Sequence, residues 1–397
     1  MAGYYAEIQI MRIVHICISA PYIDGWGYQE NLLPRYLQKL GVDNHVIASR
    51  NDFPAYLTPE DKAAIVAKRE DYQVDGIHVR RIKTKQLTTS LLVTKGLSKV
   101  LDEINPDVIF HHNFNCTSLV EAARYAKRKK IPFVVDNHAD VINISHNKLW
   151  ALVYYRLLIG LSCKLIRGTI TVAYGVTQAR CDFMHQWYGI PNDKIKLLPI
   201  GADTDLADAI PSKESLRKKY GYQKDDFIVV SGGKMGAAKG THQLINVIDG
   251  LKSAFQNIRL VLFGAFEDND TLLLAKNNDV VSVYGWCDRE KTLELLKMAD
   301  VACWPVHHTT LIEDAVSVCT PIIVRRTGNT EHLVEGNGAW VDEVTMESLK
   351  SAILSFLSNQ DEAQRNLLQS ACEKMKNAIS YDTIADKLLK DIYGSRK

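Results

Sequence analysis

VVSGGKMGAAKGTHQLINVI, residues Val229 to Ile248, is the stretch from which the architecture of this chain can be read. Its apolar, β-branched start predicts a buried strand ending at Ser231. Two glycines, Gly232 and Gly233, free the backbone for close approach, Lys234 follows, and after Met-Gly-Ala-Ala come Lys239, Gly240 and a helix from about Thr241. A strand, a glycine loop and a helix start together aim backbone N–H groups and the positive helix end at one point, which suits an anion. Lys234 and Lys239, five residues apart, can close on a diphosphate from either side. The segment is not a P-loop, because Lys239 is followed by Gly rather than Ser or Thr. A plain strand-to-helix turn carrying surface lysines has the same local pattern.

Outward from this segment, short β-rich runs alternate with amphipathic stretches in both halves, the mark of two parallel-sheet α/β domains. The first half contains Ile13–Ile18, Asn44–Ala48, Val108–His111, Phe133–Asp136, Gly168–Val172 and Ile195–Leu198. The second contains Phe227–Ser231, Arg259–Phe263, Val280–Tyr284, Val301–Trp304, Ile322–Val324 and Ala339–Val341. Helical spacing of apolar residues marks Asn31–Leu40, Thr241–Ala254 and Arg289–Ala299 among the intervening stretches. The Gly/Asp/Pro/Ser-containing segment Gly201–Lys213 is the best boundary between the halves. A last helix, roughly Tyr381–Tyr393, follows all twelve strands and has no strand to cross to.

Composition narrows the function classes. The 397 residues are 46% hydrophobic and 24% charged, ordinary for a globular protein of two or three domains. Lys plus Arg number 48 against 46 Asp plus Glu, so no global field favours nucleic acid and any anion site must be local. The eight cysteines are scattered without metal-ligand spacing and read as thiols of a reducing cytosol. The start of the chain lacks a secretory signal pattern, and since Arg12–Ser19 already reads as a strand, Met11 would serve as a start with the first ten residues as an extension. Leu149–Cys163 is the longest apolar stretch, but it contains Arg156 and falls short of the about 20 residues that span a bilayer. A cytoplasmic protein is expected.

The glycine–lysine loop resembles the donor-phosphate loop of glycosyltransferase family 4, which has the GT-B fold. Other stretches resemble that family in the same order: GWGYQENLLPRYLQKLG its N-terminal glycine loop (Gly25, Gly27), KIKLLPIGADTD its interdomain segment, and VVSVYGWCDREKTLELLKMADVACWP, with Gly285, a strand facing the nucleotide. EDAVSVCTPIIV and GNTEHLVEGNGAWV resemble its carboxylate helix and closing loop. The resemblance implies an α/β GT-B chain: a Rossmann-like acceptor domain over 1–205, a Rossmann-like nucleotide-sugar donor domain over 206–380 facing it across a cleft, and a C-terminal helix over 381–397. Counted back from Pro321, the family's ribose-binding glutamate falls on Asp314, with Glu313 adjacent. The family's preceding glutamate falls on Val306, so that motif is broken, and His307, His308, Thr309 and Thr310 occupy the loop instead. His138, just past a strand end, resembles the histidine beside the donor sugar. His111, His112 and Asn113 end the preceding strand and are placed to meet the acceptor.

The implied activity is retaining transfer from a nucleotide-diphosphate sugar, UDP-linked by expectation, to a glycan or lipid-linked acceptor in surface polysaccharide or glycoconjugate synthesis. Lys234 and Lys239 would stabilise the departing diphosphate. No cofactor beyond the nucleotide-sugar co-substrate is expected, and no metal: Asp203-Thr204-Asp205 and Asp268-Asn269-Asp270 are formal DxD patterns, but the lysines already supply the countercharge. Two basic runs, Arg80–Lys85 and Lys127–Lys130, and the basic, aromatic Leu149–Arg167 suit the inner membrane face or, equally, a solvated surface. A non-catalytic GT-B subunit that binds nucleotide or a partner enzyme is the alternative, on the strength of Val306, and a nucleotide-sugar epimerase lacks a recognisable acid for ring deprotonation.

Overall fold

The computed structural model describes residues 11–51, 58–68, 70–88, 91–141, 152–358 and 361–394. The chain forms two units, Met1–Pro199 with Tyr381–Lys397, and Ile200–Ser380. The first contains β1 (Arg12–Cys17), β2 (Asp43–Ser49), β3 (Asp71–Val74), β4 (Ile77–Ile82), β5 (Thr84–Thr88), β6 (Leu91–Thr94), β7 (Val108–His111), β8 (Phe133–Asn137), β9 (Ile170–Gly175) and β10 (Ile195–Leu197). Eight of these strands form one sheet in the order β10-β9-β8-β7-β1-β2-β4-β3, parallel except for the edge pair β3–β4, and β5–β6 is a separate hairpin.

Alternate residues of the parallel strands feed two cores, one on each face, as a sheet covered on both sides requires. Ile13, Val108, Phe110 and Val134 face one core with the helix Gln29–Lys39, while Val14, Ile16, Ile109 and Val135 face the other with Ser118–Lys129 and Gly160–Ile166. The final helix, Tyr381–Gly394, belongs to this unit. Its Ile384, Leu388 and Leu389 are buried in the first of those cores, Tyr381 packs on Tyr36, and Tyr174 Oη donates to Asp391 at 2.7 Å.

The second unit is a six-stranded parallel sheet of β11 (Phe227–Met235), β12 (Ile258–Phe266), β13 (Val281–Tyr284), β14 (Val301–Trp304), β15 (Ile322–Arg325) and β16 (Gly338–Val341), in the order β13-β12-β11-β14-β15-β16. Val229, Leu260 and Val301 pack on the helices Thr241–Leu251 and Met346–Ser358, and Val230, Val261 and Ala302 on Arg289–Met298 and Leu311–Ser317. Strand order reverses between β1 and β7 in one sheet and between β11 and β14 in the other. Chain segments leaving neighbouring strands at such a point diverge to opposite faces and open a crevice at the carboxyl edge, where ligands of open α/β sheets bind.

All twelve expected strands are present, and the differences are local. β11 does not stop at Ser231: Gly232, Gly233 and Lys234 continue it, in register with Phe263, Gly264 and Ala265. β3 to β6 were not anticipated, because a half-exposed edge and a hairpin lack the continuous apolar signal of a central strand. The Arg80–Lys85 run lies on these strands and is partly internal. Arg81 is buried, donating to Ser49 O, Tyr22 O and Tyr72 Oη, and Arg80 pairs with Asp71 and Glu103. All eight cysteines are unpaired, six of them buried.

Candidate functional site

At the carboxyl edge of the first sheet the chain leaves β1 through a loop containing Gly25, whose φ of +80° is one that glycine adopts without strain, and the exposed Gly27. Beside it, β7 runs into His112 and Asn113, and β8 ends at Asp136-Asn137 before His138. Asp136 organises this edge. Its carboxylate accepts from His112 Nδ1 at 2.7 Å and from the Asn113 backbone N–H at 2.8 Å, and it lies 3.5 Å from His138 Nε2. These neighbours overcome the burial that opposes ionisation and hold the Asp136 carboxyl well below the usual carboxylate range.

The network continues inward, with His15 Nδ1 3.1 Å from His112 Nε2 and His15 Nε2 3.2 Å from Asn44 Oδ1. Asn44 Nδ2 already donates to Pro34 O and Val42 O, so its oxygen accepts from His15. His15 Nδ1 is then the unprotonated ring nitrogen that faces His112 Nε2. Burial pushes His15 down to about 3 and His111 down to about 4. His111 is committed to Ser118 Oγ and Asn113 O. Both His111 and His112 are wholly enclosed, so neither is presented to an acceptor as the sequence suggested: they buttress the edge from inside, and Asn113 is the half-buried member of the trio.

His138 is the member of this network open to the edge. Its side chain is 24% exposed, and Glu30, in the first turn of Gln29–Lys39, lies 4.0 Å from it. Burial lowers its pKa, but Asp136 and Glu30 outweigh that and raise it above the ordinary imidazole value. Asp136 and Glu30 were not identified from the sequence. A lone acid preceding a candidate histidine by two residues was the one available signal.

In the second sheet, close backbone contact explains the glycines. A Cβ on Gly232 would lie 2.3 Å from the Phe263 ring, and one on Gly264 2.2 Å from Gly233 O. The loop after β11 folds on itself, Gly236 O accepting from the N–H groups of Lys239 and Thr241 while Gly236 N donates to Thr241 Oγ1. Gly240 touches the loop after β14, since a Cβ there would lie 2.8 Å from Pro305 and 2.9 Å from Val306. Val306, at the position of the missing glutamate, thus packs on the lysine loop.

Lys234 is exposed and Lys239 half-buried, and among the described residues neither has an ion-pair partner. Burial, followed by the charges of Lys239 and Arg325, lowers the pKa of His307, which places three cationic or protonatable groups in one field. Arg325, at the carboxyl end of β15, was not identified from the sequence, where this strand was expected to end at Val324. Its Nε is buried and has no hydrogen-bond partner among the described residues. Gly285 follows β13 and accepts at its carbonyl from Gly264 N at 2.6 Å.

The helix Leu311–Ser317 begins next to this loop and buries both candidate acids. Glu313 Oε1 accepts from His308 Nε2 at 2.8 Å, and although burial opposes it, His308 keeps the Glu313 pKa below its ordinary value. Glu313 Oε2 is buried and has no donor among the described residues. Asp314 accepts from Arg289 Nη1 at 2.6 Å, yet burial, aided by Glu313 and Asp203, pushes its pKa up. The two DxD patterns have local duties: Asp203 caps Thr204–Ala209, and Asp268 caps Asn269–Lys276 while also accepting from Ala237 N.

Comparison with known proteins is consistent across the chain. Residues 32–206 match the family model described as Glycosyltransferase Family 4, and residues 212–374 the one described as Glycosyl transferases group 1. A Bacillus subtilis (strain 168) protein assigned as glycosyltransferase EpsD is 32% identical over 113 residues, a match that spans 27% of this chain and 29% of that one. A glycosyltransferase structure from Rickettsia africae ESF-5 superposes with a TM-score of 0.70 at 16% identity, covering 98% of this chain and 99% of that one. Anabaena Alr3699/HepE in complex with UDP superposes with a TM-score of 0.69 at 16% identity, covering 97% and 100%. The same Anabaena protein has also been crystallised with UDP-glucose.

Proposed function

Because the chain belongs to glycosyltransferase family 4 and has the GT-B fold, we propose that it moves a hexosyl or N-acetylhexosaminyl group from a UDP-sugar, with retention and without a metal, to a glycan or lipid-linked acceptor in surface polysaccharide or glycoconjugate synthesis. The observation that carries this reading is a set of cations at the carboxyl edge of the second sheet, Lys234, Lys239 and Arg325, none with an ion-pair partner among the described residues, with the charges of Lys239 and Arg325 acting on His307. Positive groups held together without counter-ions repel one another, and an arriving diphosphate relieves that repulsion while gaining charge-assisted hydrogen bonds. The UDP and UDP-glucose complexes of the Anabaena protein support uridine as the nucleoside.

As the sugar–phosphate bond breaks, negative charge grows on the leaving diphosphate. Lys234, Lys239, Arg325 and the loop N–H groups would stabilise it, and such fixed groups act most strongly where charge develops. In a retaining reaction the leaving phosphate takes the acceptor proton, so no separate base is required. His138, its charged form favoured by Asp136, would orient the sugar, and Asn113 would border the acceptor side. We assign the ribose hydroxyls to Glu313, because its buried Oε2 needs a donor, whereas Asp314 is tied to Arg289. Asp203 and Asp268 are engaged as helix caps, which supports metal-free transfer.

Val306 favours one competing reading, a GT-B subunit that binds nucleotide without turnover. A single assay separates the two: UDP release from a panel of UDP-sugars, with acceptor extract, in excess EDTA. The expected result is turnover that EDTA leaves unchanged. Tight UDP binding with no turnover from any donor would establish the non-catalytic subunit, and loss of activity restored by magnesium would refute the metal-free mechanism.

A further inference from the structure

Residues Leu152–Ile166 form one helical run, wide-turned (π) over Leu152–Ile159 and α-helical over Gly160–Ile166. Its inner face is ordinary core: Tyr154, Ile159, Cys163 and Ile166 are buried. Its outer face breaks the rule for a surface helix, which turns polar residues to water. Leu152, Val153, Leu157, Leu158, Leu161 and Leu165 are 41–75% exposed, six of the thirteen large hydrophobics exposed among the described residues. An apolar cluster of this density marks a surface that is covered in use.

Charge identifies the cover. No Asp or Glu occurs between Asp140 and Asp182, while Arg156, Lys164 and Arg167 lie along the same run and are exposed. Beside the run, a cavity of about 560 Å³ separates it from the helix Ser118–Lys129, with Leu158 and Ile159 on one wall and Arg124 and Arg128 on the other. Glu121, which also lines this cavity, is occupied by Ser98 N, and Arg128 lies 3.7 Å from Asp102. Among the described residues, the exposed side chains of Leu152–Ile166 are aliphatic apart from Arg156 and Lys164. Aliphatic side chains flanked by cations alone match the boundary between acyl chains and anionic headgroups. No helix among the described residues is long and apolar enough to cross a membrane.

We propose that Leu152–Arg167 is a docking surface for an anionic phospholipid bilayer. Its leucines enter the interface, Arg156, Lys164 and Arg167 meet lipid phosphates, and the cavity beside Arg124 and Arg128 takes a headgroup. The surface is distinct from the lysine loop and does not depend on the transfer reaction.

Flotation of the full chain with phosphatidylcholine vesicles, with and without phosphatidylglycerol, tests the proposal without reading turnover. The parent should float with the anionic vesicles, more weakly at high salt. Leu161→Gln/Leu165→Gln should weaken that binding about tenfold or more, while Arg156→Gln/Lys164→Gln should weaken it and flatten the salt dependence. All these side chains are exposed, so an unchanged melting temperature serves as the folding control. A parent that floats with neither vesicle, or a leucine variant that floats as well as the parent, would overturn the proposal. A concentration-dependent dimer in light scattering, abolished by the leucine variant and accompanied by no vesicle binding, would overturn it in favour of a second copy as the cover.

Discussion

At the switch point of the first sheet, Asp136, His112, His15 and Asn44 satisfy one another inside the protein, and a single partly open imidazole, His138, reaches the edge. At the equivalent point of the second sheet, Lys234, Lys239 and Arg325 have no ion-pair partner among the described residues, Glu313 and Asp314 are turned to His308 and Arg289, and Asp268, beside the lysine loop, is engaged as a helix cap. One edge is electrostatically complete before any ligand arrives. The other completes its charge balance only with an anion. Polar groups that position a reacting atom gain from having their partners built in, whereas groups that capture a diphosphate must keep their charge available.

The sharpest break in this contrast is Asp136→Ala. Removing the buried carboxylate leaves His112 and the Asn113 N–H without their acceptor, and should cost about 3 to 5 kcal/mol of stability in the first unit. Urea denaturation measures the loss, and UDP affinity of the folded variant, by calorimetry, should change by less than about twofold. An equal loss of UDP binding would show that the two edges are not independent.

Lys239→Ala and Lys234→Ala probe the incomplete edge and should reverse the pattern. Each should weaken UDP by about 1.5 to 3 kcal/mol, roughly tenfold to a hundredfold or more in Kd, with little change in melting temperature. Calorimetry showing parental affinity in both variants would remove the loop from the donor site.

Between the two acids, Glu313→Gln should raise the UDP Kd by about 1 kcal/mol or more, and Asp314→Asn by less. The reverse order would restore the ribose role to Asp314, the residue that alignment on Pro321 selects.

The smallest effect concerns backbone strain. Asn113 at the first edge holds a φ of +67° and its own Oδ1 accepts from Phe114 N, whereas Cys319, beyond the acid helix of the second unit, holds +57° with a side chain that gains nothing from it. Cys319→Gly should therefore stabilise the second unit by about 0.5 to 1 kcal/mol, seen as a raised melting temperature. A lowered one would mean that the half-buried thiol contributes more than the strain costs.

Central strands and the glycine–lysine loop were legible in the amino acids alone because their signals are local. A strand buried on both faces must be apolar throughout, and a strand pairing that brings Gly264 against Gly233 O admits no side chain. The edge strand β3 and its neighbour β4 gave no such signal, and Arg80 and Arg81 looked like surface charge because their partners Asp71, Glu103, Tyr22 and Ser49 are distant or unremarkable in sequence. Lys234, Lys239 and His138 could be named in advance, but their availability could not. Whether a charge is free or spent depends on which side chains from other strands arrive beside it, as Asp136 does at His112 and Arg289 at Asp314. The sequence by itself determined two parallel α/β sheets and the loop that can cradle an anion, since both follow from residue type at short range. Tertiary structure alone decided that His111 and His112 are internal, that Arg325 joins the cations, that the last helix returns to the first sheet, and that a row of leucines faces outward. Each of these depends on burial and on charge pairing between residues far apart in the chain, which only the assembled sheets bring together.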